Sequence, residues 1–350
     1  MDLNLNNFEN NKINLILLKE ITINSFSDWI FENTFIIFKS INNLYLLIYA
    51  TKIKSIICYN MNKYIIMTEL KNSHEEYITN FKHCYSNHLK SDLIMSVSRN
   101  DNNIKIWDIR NFHCLFNLKN INKDGLLNSA SFLNYNNNIY IITCNRNWSN
   151  PEPIKVFDLN EKKIREIKDS KNNSFFIDVY YDKKSKTNES IYIITGNEGN
   201  LISYDYIEDQ KYNKYFENNE NDIFHHSLVI YEDKDITKMI ETSEGNWIIR
   251  IWDFHTSQLL KKINTSDTVL RGICLWNKDY AFVGCGDKTI KIIELDNGKI
   301  INSLIGHSNN VCSFKIILHP KYGKCIISQG HESDQIKMWI RKEYNFKKIK

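Results

Sequence analysis

Two stretches of the chain read almost identically: Ile104-Lys105-Ile106-Trp107-Asp108 and Ile249-Arg250-Ile251-Trp252-Asp253. Each alternates apolar residues with a long basic one, the period of a strand, and ends in a bulky aromatic followed by an acid. Weaker copies stand at Ile154-Lys155-Val156-Phe157-Asp158, Leu201-Ile202-Ser203-Tyr204-Asp205, Ile290-Lys291-Ile292-Ile293-Glu294 and Ile336-Lys337-Met338-Trp339-Ile340, with an early one at Ile56-Ile57-Cys58-Tyr59-Asn60. With the aromatic position as marker, residues 59, 107, 157, 204, 252, 293 and 339 are separated by 48, 50, 47, 48, 41 and 46 residues. Spacing this even marks a repeat architecture, in which each unit buries its apolar faces only by stacking on its neighbours.

Other strand-like runs flank each marker. Before it lie Leu93–Val97, Ile139–Thr143, Ile191–Thr195, Tyr280–Val283 and Lys324–Ser328; after it come His113–Leu118, Leu259–Ile263 and Lys299–Leu304. Each unit therefore holds about four short strands joined by Asn, Asp, Gly and Lys turns, the repeat of a propeller blade. The expected fold is all-β: a seven-bladed β-propeller of four-stranded antiparallel blades, a single domain over residues 1–350 with its repeats between about 34 and 340. A propeller closes by completing its last blade with a strand from the other terminus, which removes open sheet edges. Only 11 residues follow Trp339, whereas 58 precede Tyr59, so Ile13–Glu20 is the expected closing strand. Tyr344–Lys350 is the alternative.

Composition agrees and excludes other classes. The 350 residues include 54 Ile, 48 Asn and 3 Ala, against 11 Gly and 3 Pro. Ile favours strands, and Asn tolerates the left-handed backbone of turns. The balance of 45 basic and 41 acidic residues makes no strong field, so nucleic-acid binding by bulk charge is not expected. The longest apolar stretches, such as Ile13–Leu18 and Leu44–Ala50, fall far below the ~20 residues of a membrane helix, so no membrane insertion is expected. Eight cysteines without a C-x-x-C pair, and no secretory signal, read as buried reduced thiols of an intracellular protein, cytoplasmic in preference to nuclear.

The best copies, Ser96-Val97-Ser98-Arg99-Asn100-Asp101-Asn102-Asn103-Ile104-Lys105-Ile106-Trp107-Asp108 and Gly284-Cys285-Gly286-Asp287-Lys288-Thr289-Ile290-Lys291-Ile292, resemble the WD-repeat family. Its Gly-His pair is present at Gly306-His307 and, degenerate, at Ser73-His74, in the same register before Trp339 and Trp107. The resemblance implies a His, Ser/Thr, Asp, Trp network that fixes one blade: His74, Ser96 or Ser98, Asp101 and Trp107, and again His307, Ser328, Asp334 and Trp339. Asp334 stands one residue nearer the Trp than the pattern has it, and the sixth unit carries Ile293 in place of Trp.

Motifs of chemistry are sparse. There is no G-x-S-x-G elbow, H-E-x-x-H helix or Walker loop; Gly284–Thr289 lacks a third glycine and falls at a blade turn. His225-His226 and His83-Cys84 have no spaced partner pair and read as surface or strand-end histidines, so no metal or cofactor is expected. Leu270-Arg271-Gly272 carries one Arg where phosphoinositide-binding propellers carry two, and opens an inner strand.

In the family, the loops between second and third strands and those between blades gather on one face that binds protein or peptide. Here that face includes Arg99-Asn100, Asn145–Asn150, Asn246-Trp247, Asp267 and Gln329–Glu332. Trp148 and Trp247 occupy turns and not the repeat's Trp position, and a Trp beside Arg is a usual interface pair. The partner-binding expectation is Arg99, Arg146, Trp148, Trp247 and His331, with Trp148 first; the other reading folds each Trp back over the channel mouth. The expected function is a non-catalytic scaffold for protein or peptide partners, a monomeric propeller within a larger complex. The alternative is an enzyme or a small-ligand or phosphoinositide binder at the channel mouth or a blade edge. Against that stand inner strands read as Ile78–Phe81, Ser129–Phe132, Phe176–Val179, Ser227–Ile230, Arg271–Cys274 and Cys312–Lys315, in which only Asp178, Arg271 and Lys315 are charged.

Overall fold

The computed structural model describes residues 13–22, 35–51, 54–119, 121, 126–183, 190–217, 224–244, 247–265, 269–331 and 335–344. After β1 (Leu15–Thr22), the chain runs through seven up-and-down antiparallel sheets. Blade 1 is β2 (Phe35–Lys39), β3 (Tyr45–Ala50), β4 (Ile56–Asn60) and β5 (Ile65–Leu70); blade 2 is β6 (Ile78–Ser86), β7 (Ser91–Ser98), β8 (Asn103–Asp108) and β9 (His113–Leu118). Blade 3 is β10 (Leu126–Tyr135), β11 (Asn138–Arg146), β12 (Lys155–Asp158) and β13 (Lys163–Glu166); blade 4 is β14 (Ser174–Asp182), β15 (Ser190–Asn197), β16 (Leu201–Asp205) and β17 (Gln210–Tyr215). Blade 5 is β18 (Phe224–Asp233), β19 (Ile236–Glu244), β20 (Ile248–Asp253) and β21 (Leu259–Asn264); blade 6 is β22 (Leu270–Leu275), β23 (Tyr280–Cys285), β24 (Thr289–Glu294) and β25 (Lys299–Ile305). Blade 7 is β26 (Val311–His319), β27 (Gly323–Gly330) and β28 (Gln335–Arg341), completed by β1. Neighbouring first strands touch in sequence, and β2 meets β26, so the sheets form a closed ring. This is the expected seven-bladed propeller.

The repeated marker explains how blades stack. Trp107 packs toward blade 1, Phe157 toward blade 2, Tyr204 toward blade 3, Trp252 toward blade 4, Ile293 toward blade 5, Trp339 toward blade 6 and Tyr59 toward blade 7. Its flanking residues point the other way: Ile104 and Ile106 enter the core between blades 2 and 3. One apolar cluster fills each of the seven seams, so the third strand is buried on both faces. The acid after the marker turns the chain: Asp108, Asp158, Asp205 and Asp253 each accept a backbone N–H two residues on, as does Asn60.

Alternation alone places the lysine of Ile-Lys-Ile in solvent, and the structure reverses that. Lys155, Lys291, Lys337 and Arg250 are buried. Lys105, Lys155 and Lys291 donate to the backbone carbonyls of Ser73, Ile121 and Thr265, each in the segment that enters the same blade. Lys337 pairs with Glu20 on β1, and Arg250 with Glu217 before β18. A long basic side chain can lie between two sheets if its end reaches an acceptor.

Closure comes from the N-terminal side. β1 pairs antiparallel with β28 from Leu15↔Arg341 to Thr22↔Gln335, two residues beyond the expected Ile13–Glu20 because Ile13 joins the core between blades 6 and 7 ahead of the strand. Of the alternative segment, Tyr344–Lys350, Tyr344 closes a 3-10 turn, Lys342–Tyr344, and residues 345–350 lie outside the described residues. All seven fourth strands take an extra residue opposite the marker, as at Leu115, Tyr212, Leu260 and Leu18. Such bulges twist the rim and blunt its exposed edges. Asn supplies five of the sixteen non-glycine residues with positive φ among the described residues, so the turn role expected of it is shared with Lys, Asp and others.

Candidate functional site

Two blades carry a buried polar chain on adjacent strands. In blade 2 the Trp107 indole N–H donates to Ser96 Oγ at 2.8 Å, and His74 Nε2 lies 2.7 Å from the same oxygen. The hydroxyl has one hydrogen and two lone pairs, so Ser96 accepts from the indole and either donates to or accepts from His74 according to the imidazole tautomer. The other ring nitrogen then faces Asp101 Oδ2 at 3.8 Å. Blade 7 repeats the chain: Trp339 Nε1 donates to Ser328 Oγ at 2.7 Å, and His307 Nε2 lies 2.7 Å away. Burial lowers both histidines, His307 to about 3, helped there by Lys337. Asp334 lies outside the described residues.

Blade 5 solves the same problem differently. Its Ser position is Glu241, opposite Arg250 as Ser96 is opposite Lys105. Glu241 accepts from Arg250 at 3.3 Å and lies 2.9 Å from His225 Nδ1, while Arg250 also reaches Glu217 at 2.8 Å and Ser243 at 3.0 Å. His225 is thus a buried hydrogen-bond partner of Glu241 at the start of β18, a strand-end histidine; His83, half-buried within β6, stacks on Phe38 of blade 1 and lies 2.8 Å from Asp92 of its own blade. The Trp252 indole N–H has no partner among the described residues.

Alternating strand direction puts every turn between second and third strands at one end of the ring. Arg99 lies there in blade 2, Arg146 and Trp148 in blade 3, Trp247 in blade 5 and His331 in blade 7. The structure brings the first three together and leaves the other two on separate blades. The loop after β11 is pinned by its asparagines: Asn145 bonds both backbone groups of Glu152, and Asn147 accepts from Ser149 and Asn150 while its own N–H donates to Asn173. On this rigid loop Trp148 is 54% exposed, with the Arg146 guanidinium 4.5 Å from its ring centroid. The same guanidinium lies 4.9 Å from the Phe175 ring, and Phe175 meets Phe224 edge-on at 5.0 Å. Burial, with the charge of Arg146 added to it, lowers Arg99 to about 10. Burial lowers Arg146 too, against the pull of Glu198.

Trp247 is 39% exposed and held at φ +54, its carbonyl accepting from Thr265 N–H and Oγ–H. The His331 N–H donates to the Asn310 carbonyl at 2.6 Å. Asn246, Asp267 and Glu332 lie outside the described residues.

Phe175, Phe224 and Glu198 were not legible as part of this face. Phe175 is the extra residue of a bulge between Ser174 and Phe176, which turns its ring toward Arg146. A Phe-Phe pair opening an inner strand was the available signal. In the channel, Asp178 pairs with Lys82 of blade 2 at 3.1 Å, so Lys82 is a further charge on an inner strand. Gly272 answers to packing, since a Cβ there would stand 2.7 Å from the Cys312 carbonyl oxygen. Among the described residues no group of three or more His, Cys, Asp or Glu could hold a metal, and no helix is long and apolar enough to cross a membrane.

These features define a closed propeller with the turns between second and third strands gathered at one end. No family model matches the chain. It is 29% identical over 203 aligned positions to F-box/WD repeat-containing protein A of Dictyostelium discoideum, covering 47% of this chain and 16% of that protein. It is 28% identical over 80 residues to the U3 small nucleolar RNA-associated protein 21 homolog of Schizosaccharomyces pombe, covering 23% of this chain and 9% of that protein. The chain therefore spans a small part of the length of either relative. The chain is a seven-bladed β-propeller of four-stranded blades, similar over part of its length to a protein named for its WD repeats.

Proposed function

We propose that the protein is a non-catalytic interaction scaffold that takes protein or peptide partners on its loop face, with Trp148 and Arg146 as the principal contact and Arg99 beside them. The observation that carries this reading is the exposed Trp148 ring stacked on Arg146 above an asparagine-pinned loop. A large aromatic held in place before binding loses little entropy on contact, and Trp and Arg are the residue types that dominate interface energies. Trp247 and His331 extend the surface to other blades and could meet a second segment of the same partner. The paired Lys82 and Asp178 in the channel also support a scaffold, because a catalytic channel would converge groups on a substrate and not on each other. An intracellular residence accords with eight free cysteines, most of them buried.

The test is capture of partners from a lysate by wild type and by a Trp148→Ala, Arg146→Ala double variant, with thermal melting as a control for folding. Loss of specific partners with an unchanged melting temperature supports the proposal. Recovery of the same partners in the same amounts rejects this face.

A further inference from the structure

Two guanidinium groups meet on the loop face. Arg99 and Arg146, from different blades, sit close enough for one to act on the other, and both are at least partly withdrawn from water. The acid that acts on Arg146, Glu198, forms no ion pair with it among the described residues. Arg146 Nε is buried without a hydrogen-bond partner among those residues, while two aromatic rings hold the guanidinium at 4.5 and 4.9 Å. Rings against a guanidinium fix its plane and leave its donors directed along its edge, the geometry that accepts a carboxylate through two parallel bonds. A second positive charge held nearby in a half-dry site raises the gain from bringing in an anion.

Resting on the loop-face reading above, we propose that this site selects acidic peptides: a glutamate or aspartate carboxylate of an extended partner segment seats on the edge of Arg146, and a neighbouring apolar residue packs on the exposed face of Trp148. Arg99 contributes its field, since it is 9% exposed and offers little surface for contact. Phe175, 4% exposed, supports Arg146 from beneath, and the half-buried Phe224 beside it extends the apolar surface toward blade 5. The inference concerns carboxylates; a phosphorylated segment is a separate outcome of the test.

The experiment uses the full chain and three short fluorescent peptides of one frame, alternating leucine with glutamate, glutamine or phosphoserine, titrated by anisotropy at low and at physiological salt. The expected result is binding of the glutamate peptide about tenfold or more tighter than the glutamine peptide, with the difference shrinking as salt rises. Arg146→Gln should erase that difference, while Arg146→Lys, which keeps charge but not the planar fork, should retain only part of it. Trp148→Ala should weaken both peptides alike. Equal affinity for the glutamate and glutamine peptides, with Trp148→Ala still weakening both, would overturn acid selection and leave the loop-face reading standing. Capture of the phosphoserine peptide alone, or of none of the three, also overturns it. Binding of the glutamate peptide indifferent to both Arg146→Gln and Trp148→Ala would remove the loop-face reading along with this one.

Discussion

The hydroxyl of Ser328 on β27 accepts the indole N–H of Trp339 on β28 at 2.7 Å, and His307 Nε2 stands 2.7 Å from the same oxygen. One small side chain therefore satisfies two large buried ones that come from different ends of the blade. Ser328→Ala leaves an indole N–H and an imidazole nitrogen without partners, each costing about 1–3 kcal/mol. The expected loss is at least about 2 kcal/mol, measured by urea denaturation. A loss within the error of the measurement would show that water replaces the hydroxyl.

Acid should weaken the fold through its buried histidines. Burial holds His307 at about 3 in the folded protein, against an ordinary value of 6.5 that it regains on unfolding. The unfolded chain therefore takes up a proton first as pH falls. This contribution to stability is complete above about 6.5 and is lost progressively toward 3, by about 1.4 kcal/mol per pH unit. His74 and His83, both lowered by burial, act in the same direction. Stability measured across this range should fall less steeply for His307→Asn than for wild type; parallel slopes would contradict the assignment.

Blade 5 offers a swap between its ionic chain and the Ser-Lys arrangement of blades 2 and 7. Arg250→Met strands the buried Glu241 and should cost about 3–5 kcal/mol. Glu241→Ser with Arg250→Lys installs the pair found at Ser96 and Lys105, and gives the Trp252 indole N–H an acceptor. The double variant should be clearly more stable than Arg250→Met in chemical denaturation. Equal stabilities would mean that Ser and Lys cannot substitute for the ionic pair in this seam.

Deleting residues 1–20 removes Ile13 and Leu15 from the seam between blades 6 and 7 and most of the partner strand of β28. The melting temperature should drop strongly, and the bared edge should promote association visible in light scattering. An unchanged melting temperature would reject this closure.

A tighter test of packing is Gly284→Ala. A Cβ there would lie 2.3 Å from the Val311 carbonyl oxygen and 2.8 Å from the Phe314 ring, so β23 or β26 must move. A loss of about 1–3 kcal/mol is expected from overpacking, read from the thermal midpoint.

The architecture was legible because a blade is a local object. Trp107, Trp252 and Trp339 recur at blade spacing since each must fill the seam to the blade before it, and Asp108, Asp158 and Asp205 follow because the same tight turn must be closed each time. Those are constraints within tens of residues, and the one-dimensional pattern carries them. The seven blades, the all-β class and the N-terminal origin of the closing strand follow from sequence by itself.

What only the tertiary structure decided lies between blades. Lys105, Lys155 and Lys291 look solvent-facing in an alternating strand, yet they share the marker's face toward the preceding blade, and a backbone carbonyl accepts a hydrogen bond from each. Phe175 joins Arg146 and Trp148 because a bulge in β14 turns it across a seam, and Arg99 comes beside Arg146 only because two blades stand side by side. Lys82 finds Asp178 across the channel, 96 residues apart in the chain. Period-2 alternation records which side of a strand a residue occupies; it does not record what the neighbouring sheet brings to that side, and the partners of these charges are set there.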